Sequence, residues 1–173
     1  MNINDIKTVA MIGAGDMGHG IAEVALLAGY KVNLYDIKEE YVEKGKKRIF
    51  ESLDLLLGKG KIPAELDTAI RTQLLTTTTD LTEAVGNADL VIEAIPEIFD
   101  LKREVFAKIA PLVGDSVVLA TNTSSLAVTK IFEGIEAPGR CIGTHFFNPP
   151  PLMPLLEVVR GEQTTQETVD RVL

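Results

Sequence analysis

Short apolar runs alternate with segments of helical periodicity along most of the chain. Seven such runs predict strands, at residues 8–13, 31–36, 74–78, 89–95, 116–122, 141–146 and 155–159. Helical patterns lie between them, at residues 16–28, 38–57, 64–73 and 99–110, with a short helix from Asp80. Apolar strands that alternate with helices are typical of a parallel sheet covered on both faces. The pattern therefore predicts a doubly wound α/β domain with a mostly parallel sheet.

The last segment, "TTQETVDRVL", predicts one more helix. Thr164 and Glu167 have the spacing of a capping box. Three apolar residues follow without an obvious partner, namely Val169, Val172 and Leu173. We therefore expect residues 1–173 to form one domain, and this helix to be the entry to a second domain.

Composition narrows the possible partners. The chain of 173 residues carries a net charge of −8 and no basic cluster, which argues against nucleic acid but not against a phosphorylated ligand. The longest apolar stretch, residues 20–29, contains Glu23 and is too short to span a bilayer, so no membrane partner is expected. The single cysteine, Cys141, is predicted to be a small buried residue. With no leader-like pattern in residues 1–20, we expect a cytoplasmic protein.

The first predicted strand runs into a glycine-rich loop, Gly13-Ala14-Gly15-Asp16-Met17-Gly18. Gly13 would make the tight turn, Gly15 would admit a pyrophosphate to the backbone, and Gly18 would let the next helix pack closely. Asp36 closes the second predicted strand and would accept hydrogen bonds from an adenine ribose. Because a carboxylate there repels a 2′-phosphate, the expected cofactor is NAD rather than NADP. Taken alone, Asp36 could also cap the following helix.

Polar residues collect where three later strands are predicted to end, at residues 94–97, 121–125 and 145–148. Ligands of open α/β sheets gather outside the carboxyl ends of the strands. Each group alone could be a local cap or turn; Ser125 could cap a helix, for example. With the glycine loop at the same edge, a cofactor site is favoured, and it adds Ala94 and Asn122 to the candidate contacts.

A titratable ring and a carboxylate flank a proline-rich corner in residues 143–159. His145 ends the sixth predicted strand, and Glu157 is an acid within the apolar run of the seventh, where it is expected to be buried. Imidazole titrates near neutrality and is suited to general-base catalysis. A core histidine satisfied by a nearby acid is the structural alternative. The other histidine, His19, is expected to occupy a surface or groove position without a catalytic role.

Four motifs together identify a family: "IGAGDMGHGIA", "VIEAIPE" followed by "DLK", "NTSSL" and "HFFNPPPLMPLLEVV". They closely resemble the NAD-binding domain of L-3-hydroxyacyl-CoA dehydrogenases, which include 3-hydroxybutyryl-CoA dehydrogenases. The resemblance covers nearly the whole chain. It implies a Rossmann-type fold and an oxidoreductase that interconverts L-3-hydroxyacyl-CoA and 3-ketoacyl-CoA with NAD, in fatty acid beta-oxidation or butanoate metabolism.

The resemblance also implies roles for individual residues. His145 matches the catalytic base, Glu157 the carboxylate that pairs with it, and Ser124 a residue that contacts both the substrate oxygen and the nicotinamide. Three further residues match cofactor contacts, namely Glu97, Lys102 and Asn148. No metal is implied.

Members of this family have a helical C-terminal domain that completes the substrate site and forms a homodimer. That domain is missing from residues 1–173, so the isolated chain is expected to be poorly active. Lys59 and Lys61 could meet the phosphates of CoA, or they could lie in a solvated loop. Two other functions stay open: a gulonate-type sugar-acid dehydrogenase, which shares these motifs, and a non-catalytic NAD-binding module.

Overall fold

The computed structural model describes residues 6–173. Within them the strands are β1 (Thr8–Ile12), β2 (Lys31–Tyr35), β3 (Leu75–Thr78), β4 (Leu90–Glu93), β5 (Val118–Thr121), β6 (Cys141–Phe146) and β7 (Leu156–Arg160). The α-helices are α1 (Gly18–Leu27), α2 (Glu39–Gly58), α3 (Ala64–Ala69), α4 (Leu81–Val85), α5 (Phe99–Ile109), α6 (Val128–Ile131) and α7 (Gln166–Val172). Every predicted strand is present within a few residues of its expected bounds. The helix predicted at 64–73 is α3 followed by a π-helical turn, Ile70–Leu74.

The strands form a single sheet in the order β3-β2-β1-β4-β5-β6-β7. All neighbouring pairs are parallel except β6 and β7, which are antiparallel. The strand order reverses between β1 and β4, and a crevice opens at the carboxyl ends of strands where such a reversal occurs. The predicted doubly wound, mostly parallel sheet is therefore confirmed.

Apolar side chains are buried on both faces of the sheet, which explains the nearly continuous apolar runs in its strands. On one face Met11 of β1 and Leu34 of β2 pack with residues of α1, α2 and α7. On the other face Ile12 of β1 and Leu119 of β5 pack with residues of α4, α5 and α6. Cys141 is buried in this second cluster as expected, and burial raises the pKa of its thiol to about 12.

Helix α7 packs against the same core as the helices that precede it. Val169 is buried in the core, so the prediction that it lacks a partner is wrong, although Leu173 is exposed. The capping residue is Thr165, whose side chain accepts a hydrogen bond from the Thr168 N–H, and not Thr164. Thr164 instead donates its hydroxyl to the Cys141 carbonyl at 2.7 Å, because its side chain faces the sheet.

Candidate cofactor and active site

Close backbone packing accounts for two glycines of the loop between β1 and α1. Gly13 has a φ of +102°, and a Cβ there would lie 2.9 Å from the Ala94 carbonyl oxygen. A Cβ on Gly18 would lie 1.7 Å from the Gly13 carbonyl oxygen, so helix α1 could not start so close to the strand with any other residue. A Cβ on Gly15, in contrast, would meet nothing within 4 Å. The loop is therefore tightly built at both ends and open at its middle, where a ligand could approach the backbone.

Asp36 lies immediately after β2 and holds the glycine loop. The Ala14 N–H donates to its Oδ2 at 2.8 Å, and the Ile37 N–H donates to Oδ1 at 2.7 Å. Helix α2 takes Lys38 as its N-cap residue. The alternative that Asp36 caps the next helix is therefore wrong.

One cavity, of about 540 Å³, lies beside the glycine loop. Asp36 and Tyr41 line it on one side, and Leu101 and Val105 line it on the other. A mostly apolar cavity that ends at a carboxylate suits an adenosine, with the acid available to the ribose hydroxyls.

Two charged residues stand at the mouth of this adenosine cavity. Arg48 Nη1 donates to Asp16 Oδ1 at 2.5 Å, which ties α2 to the glycine loop. The hydrogen bond from Arg48, together with its charge, lowers the pKa of Asp16. Asp16 therefore lines the cavity as a carboxylate that is paired with Arg48.

A second cavity, of about 350 Å³, lies over the carboxyl ends of β4, β5 and β6. It is lined by predicted site residues from four separate segments, namely Met17, Ala94, Glu97, Asn122, Ser124, His145 and Asn148. Ala94 and Ile95 line both cavities, which therefore adjoin at the end of β4. Together they form a trough across the point where the strand order reverses.

His145 and Glu157 face each other across β6 and β7, where they are paired in register. His145 Nδ1 lies 2.8 Å from Glu157 Oε2, and the Phe147 ring lies 4.7 Å from the imidazole between centroids. The expectation that Glu157 is buried is wrong: 53% of its side chain is exposed, against 19% for His145. Because β7 is the edge strand of the sheet, no neighbouring strand covers the carboxylate. When Nδ1–H donates to Glu157, the neutral ring keeps Nε2 as its proton acceptor.

The proline corner between β6 and β7 rests on α1. A Cβ added to Gly20 would lie 2.9 Å from Pro150 Cδ and 3.3 Å from Pro151 Cδ. The Asn148–Pro149 peptide bond is cis. The corner therefore packs directly on the helix that follows the glycine loop, and Asn148 lies in the wall of the second cavity.

The turn at residues 122–125, which we call the 122–125 turn, is held from two sides. Glu97 accepts hydrogen bonds from the Thr123 hydroxyl and, at 3.1 Å, from the Ser124 N–H. Asn122 Oδ1 accepts from the Phe146 N–H at 2.9 Å. Partial burial acts to raise the pKa of Glu97, but the Thr123 hydrogen bond and the charge of Lys102 outweigh it and lower that pKa. Glu97 is therefore ionised at neutral pH and holds the turn in place.

Lys102 lies in a buried ion pair. Its side chain is 0% exposed and lines neither cavity, and its contact with the cofactor stays a prediction. Nζ donates to Glu93 Oε1 at 2.7 Å and lies 3.3 Å from Glu97 Oε2. Glu93 was not among the predicted site residues. Its sequence signal is a carboxylate inside the apolar strand "DLVIEAI".

Lys59 and Lys61 do not lie at the edge of the sheet that carries the two cavities. Lys59 follows the last residue of α2, eleven residues beyond Arg48 and about 16 Å along the helix axis. Lys61 is close behind it, and both are exposed and line neither cavity. His19 is half-buried, and its Nδ1 lies 2.7 Å from the Gly15 carbonyl oxygen. Residues 6–173 contain no cluster of potential metal ligands and no helix able to cross a membrane.

These features define a dinucleotide-binding domain of the Rossmann type: a doubly wound sheet, the glycine loop, an acid at the end of β2 and a trough where the strand order reverses. The family described as "3-hydroxyacyl-CoA dehydrogenase, NAD binding domain" matches residues 8–173. The chain belongs to this family, and its cofactor is NAD. The resemblance noted in the sequence is confirmed.

Several proteins of known sequence or structure are similar to the chain. The 3-hydroxyadipyl-CoA dehydrogenase of Escherichia coli K12 is 44% identical over 173 residues, covering 99% of this chain and 36% of that protein. The 3-hydroxybutyryl-CoA dehydrogenase of Mycobacterium tuberculosis is 41% identical over 168 residues, covering 96% and 58%. A crystal structure of 3-hydroxybutyryl-CoA dehydrogenase from Escherichia coli K12 matches with a TM-score of 0.93 and 42% identity, covering 97% of this chain and 35% of that one. The chain therefore spans less than two thirds of the length of these relatives.

Proposed function

We propose that the chain is the NAD-binding and catalytic-base domain of an oxidoreductase that interconverts L-3-hydroxyacyl-CoA and 3-ketoacyl-CoA. The observation that carries this proposal is the hydrogen bond of 2.8 Å between His145 Nδ1 and Glu157 Oε2. The imidazole lines the same cavity as Ser124 and Asn148, which is one half of the trough that suits the dinucleotide. This arrangement supports His145 as the proton acceptor for a substrate alcohol beside the nicotinamide.

The residues of the trough fit NAD. The middle of the glycine loop is open at Gly15, next to the N-terminus of α1, where backbone N–H groups favour phosphate. Asp36 lies in the adenosine cavity, and the second cavity has room for the nicotinamide between Met17 and the 122–125 turn. NAD supplies the acceptor for the hydride that leaves C3 of the substrate.

His145 would remove the proton of the 3-hydroxyl through Nε2. The electron pair of the O–H bond becomes the second bond of the new carbonyl as the C3–H bond breaks and its electron pair leaves as hydride. Glu157 would hold the ring by Nδ1, select the tautomer that exposes Nε2, and stabilise the imidazolium as it forms. Ser124, which lines the same cavity, would donate a hydrogen bond to the substrate oxygen. In the reverse direction the imidazolium returns the proton.

We also propose that the substrate is an acyl-CoA. Relatives named for 3-hydroxyadipyl-CoA and 3-hydroxybutyryl-CoA favour an acyl-CoA, handled in fatty acid beta-oxidation or butanoate metabolism. Contacts of Lys59 and Lys61 with CoA remain a prediction. The single cysteine suits a reducing compartment such as the cytoplasm.

A helical C-terminal domain would complete the substrate site and form the homodimer. Three apolar side chains between the prolines and β7 support such a cover, because Leu152, Met153 and Leu155 are 78%, 42% and 53% exposed.

The test is the reduction of acetoacetyl-CoA by NADH, measured for residues 1–173 alone and joined to the proposed helical domain. We expect turnover by the longer protein, little by the shorter one, and loss of turnover in His145→Gln. Oxidation of L-gulonate with NAD, in place of acetoacetyl-CoA turnover, would favour the sugar-acid dehydrogenase. NADH binding without either reaction would favour a non-catalytic module.

A further inference from the structure

The carboxylate of Asp16 stands where an anionic cofactor would bind. Asp16 follows Gly15 in the glycine loop, at the point where the loop is open to a ligand. Backbone N–H groups at such a place favour phosphate, whereas a carboxylate beside them repels it. The Asp16 side chain is 79% exposed, so it contributes nothing to the core. The reaction proposed above gives this acid no task, and its presence calls for an explanation.

Helix α2 brings a cation to this carboxylate. The helix lies against the glycine loop at Gly45, where an added Cβ would be 2.8 Å from the Ala14 carbonyl oxygen. Arg48 follows about one turn later, and its Nη1 donates to Asp16 Oδ1 at 2.5 Å. Both side chains line the adenosine cavity, as does Gly15. Arg48 is therefore held in the same cavity as the backbone that would bind the pyrophosphate of NAD.

The two side chains differ in what they would lose if the pair separated. Asp16 is 79% exposed and Arg48 is 39% exposed, so water can replace the arginine at the carboxylate with little loss. The bond to Asp16 is the one polar contact of the Arg48 guanidinium within residues 6–173. A guanidinium presents several N–H donors in a planar fork that matches a phosphate. A bound pyrophosphate would therefore compete with Asp16 for Arg48.

We propose that Asp16 is an internal competitor of the NAD pyrophosphate for Arg48. Arg48 is bonded to Asp16 in the free chain, and it binds the pyrophosphate in the complex while Asp16 turns to solvent. The carboxylate thus holds the arginine in place between turnovers, and it weakens the complex by offering the arginine another partner. This exchange sets how quickly the cofactor leaves. The inference rests on the proposed function only where it concerns turnover, because the exchange itself needs only NAD in the trough.

The test is a double-variant cycle on cofactor binding and release. NADH affinity is measured by calorimetric titration and NADH release by stopped-flow fluorescence, at low salt, for the parent, Asp16→Asn, Arg48→Gln and the double variant. Adenosine, which has no phosphate, reports on the cavity itself. Asp54→Asn is the matched control, because it removes the same charge from an exposed carboxylate that pairs with Arg71 and lines neither cavity.

We expect Asp16→Asn to bind NADH about two- to fivefold more tightly, mostly through slower release. Arg48→Gln should bind NADH more weakly, adenosine should bind equally to all variants, and Asp54→Asn should match the parent. The gain from Asp16→Asn should shrink when Arg48 is already replaced, because the carboxylate then has no arginine to withhold from the pyrophosphate.

An equal or larger gain in the Arg48→Gln background would overturn the proposal, because Asp16 would then act only by repelling the pyrophosphate. Weaker NADH binding by Asp16→Asn would also overturn it and would make Asp16 a residue that positions Arg48. A changed adenosine affinity would assign the effect to the cavity instead of the exchange. Failure of the dehydrogenase function would appear separately, as NADH binding with the expected pattern but no acetoacetyl-CoA turnover by the longer protein.

Discussion

Replacing Glu157 by Gln should lower turnover far less than replacing His145, because the carboxylate acts only through the imidazole. The two side chains are joined by one charge-assisted hydrogen bond of 2.8 Å. Such bonds contribute about 1.5–3 kcal/mol, and since half of the Glu157 side chain faces solvent the lower figure applies. That figure corresponds to about a tenfold loss of turnover in Glu157→Gln. The amide still holds the ring but cannot stabilise the imidazolium.

His145→Gln should cost about 10²–10⁴-fold, the usual contribution of a general base. The double variant should be no slower than His145→Gln alone, because Glu157 has no imidazole left to act on. The assay is single-turnover reduction of acetoacetyl-CoA by NADH, so that product release does not mask the chemical step.

Glu162→Gln is the matched control, since Glu162 is an exposed acid just beyond the end of β7. It should leave the rate unchanged. Strictly multiplicative losses in the double variant would refute the view that His145 and Glu157 act as a unit.

Three further results are expected at other sites. Asp36→Ala should narrow the preference for NADH over NADPH in calorimetric titrations, because it removes both the ribose acceptor and the repulsion of a 2′-phosphate; an unchanged ratio would contradict this role. Arg48→Gln should weaken NADH binding and Asp16→Asn should strengthen it, each about two- to fivefold at low salt, because the ligand phosphates are anionic. Effects of the same sign, or effects that persist in high salt, would contradict the placement of the pyrophosphate at the glycine loop. Burial raises the pKa of Glu23 above its ordinary value of 4.5, although the Ser52 hydroxyl opposes this. The folded protein therefore loses stability as pH rises through the native pKa, because the buried carboxyl must then ionise. Glu23→Gln removes this ionisation, so it should raise the melting temperature at pH 8 and much less at pH 4. An equal gain at both pH values would exclude the linkage.

Much of the fold can be read from local patterns. Strands buried on both faces must be apolar throughout, so β1, β4 and β5 are visible as runs that do not alternate. The glycine loop can also be recognised from the sequence, because the φ of +102° at Gly13 and the close approach of Gly18 to the Gly13 carbonyl are local reasons for glycine. An acid that ends the second strand of such a unit, here Asp36, is expected to accept hydrogen bonds from the adenine ribose. These features depend on residues close in sequence, and the sequence by itself determines them.

The tertiary structure decided which side chains meet and which face solvent. Lys102 looks like a surface lysine of a helix, and only its approach to Glu93 on a neighbouring element makes it a buried ion pair. Glu157 lies in an apolar run, yet it is half exposed because β7 is the last strand of the sheet. Val169 is buried because α7 turns back onto the sheet. Burial and pairing of this kind depend on how the strands and helices pack against one another, which no local pattern of polar and apolar residues encodes.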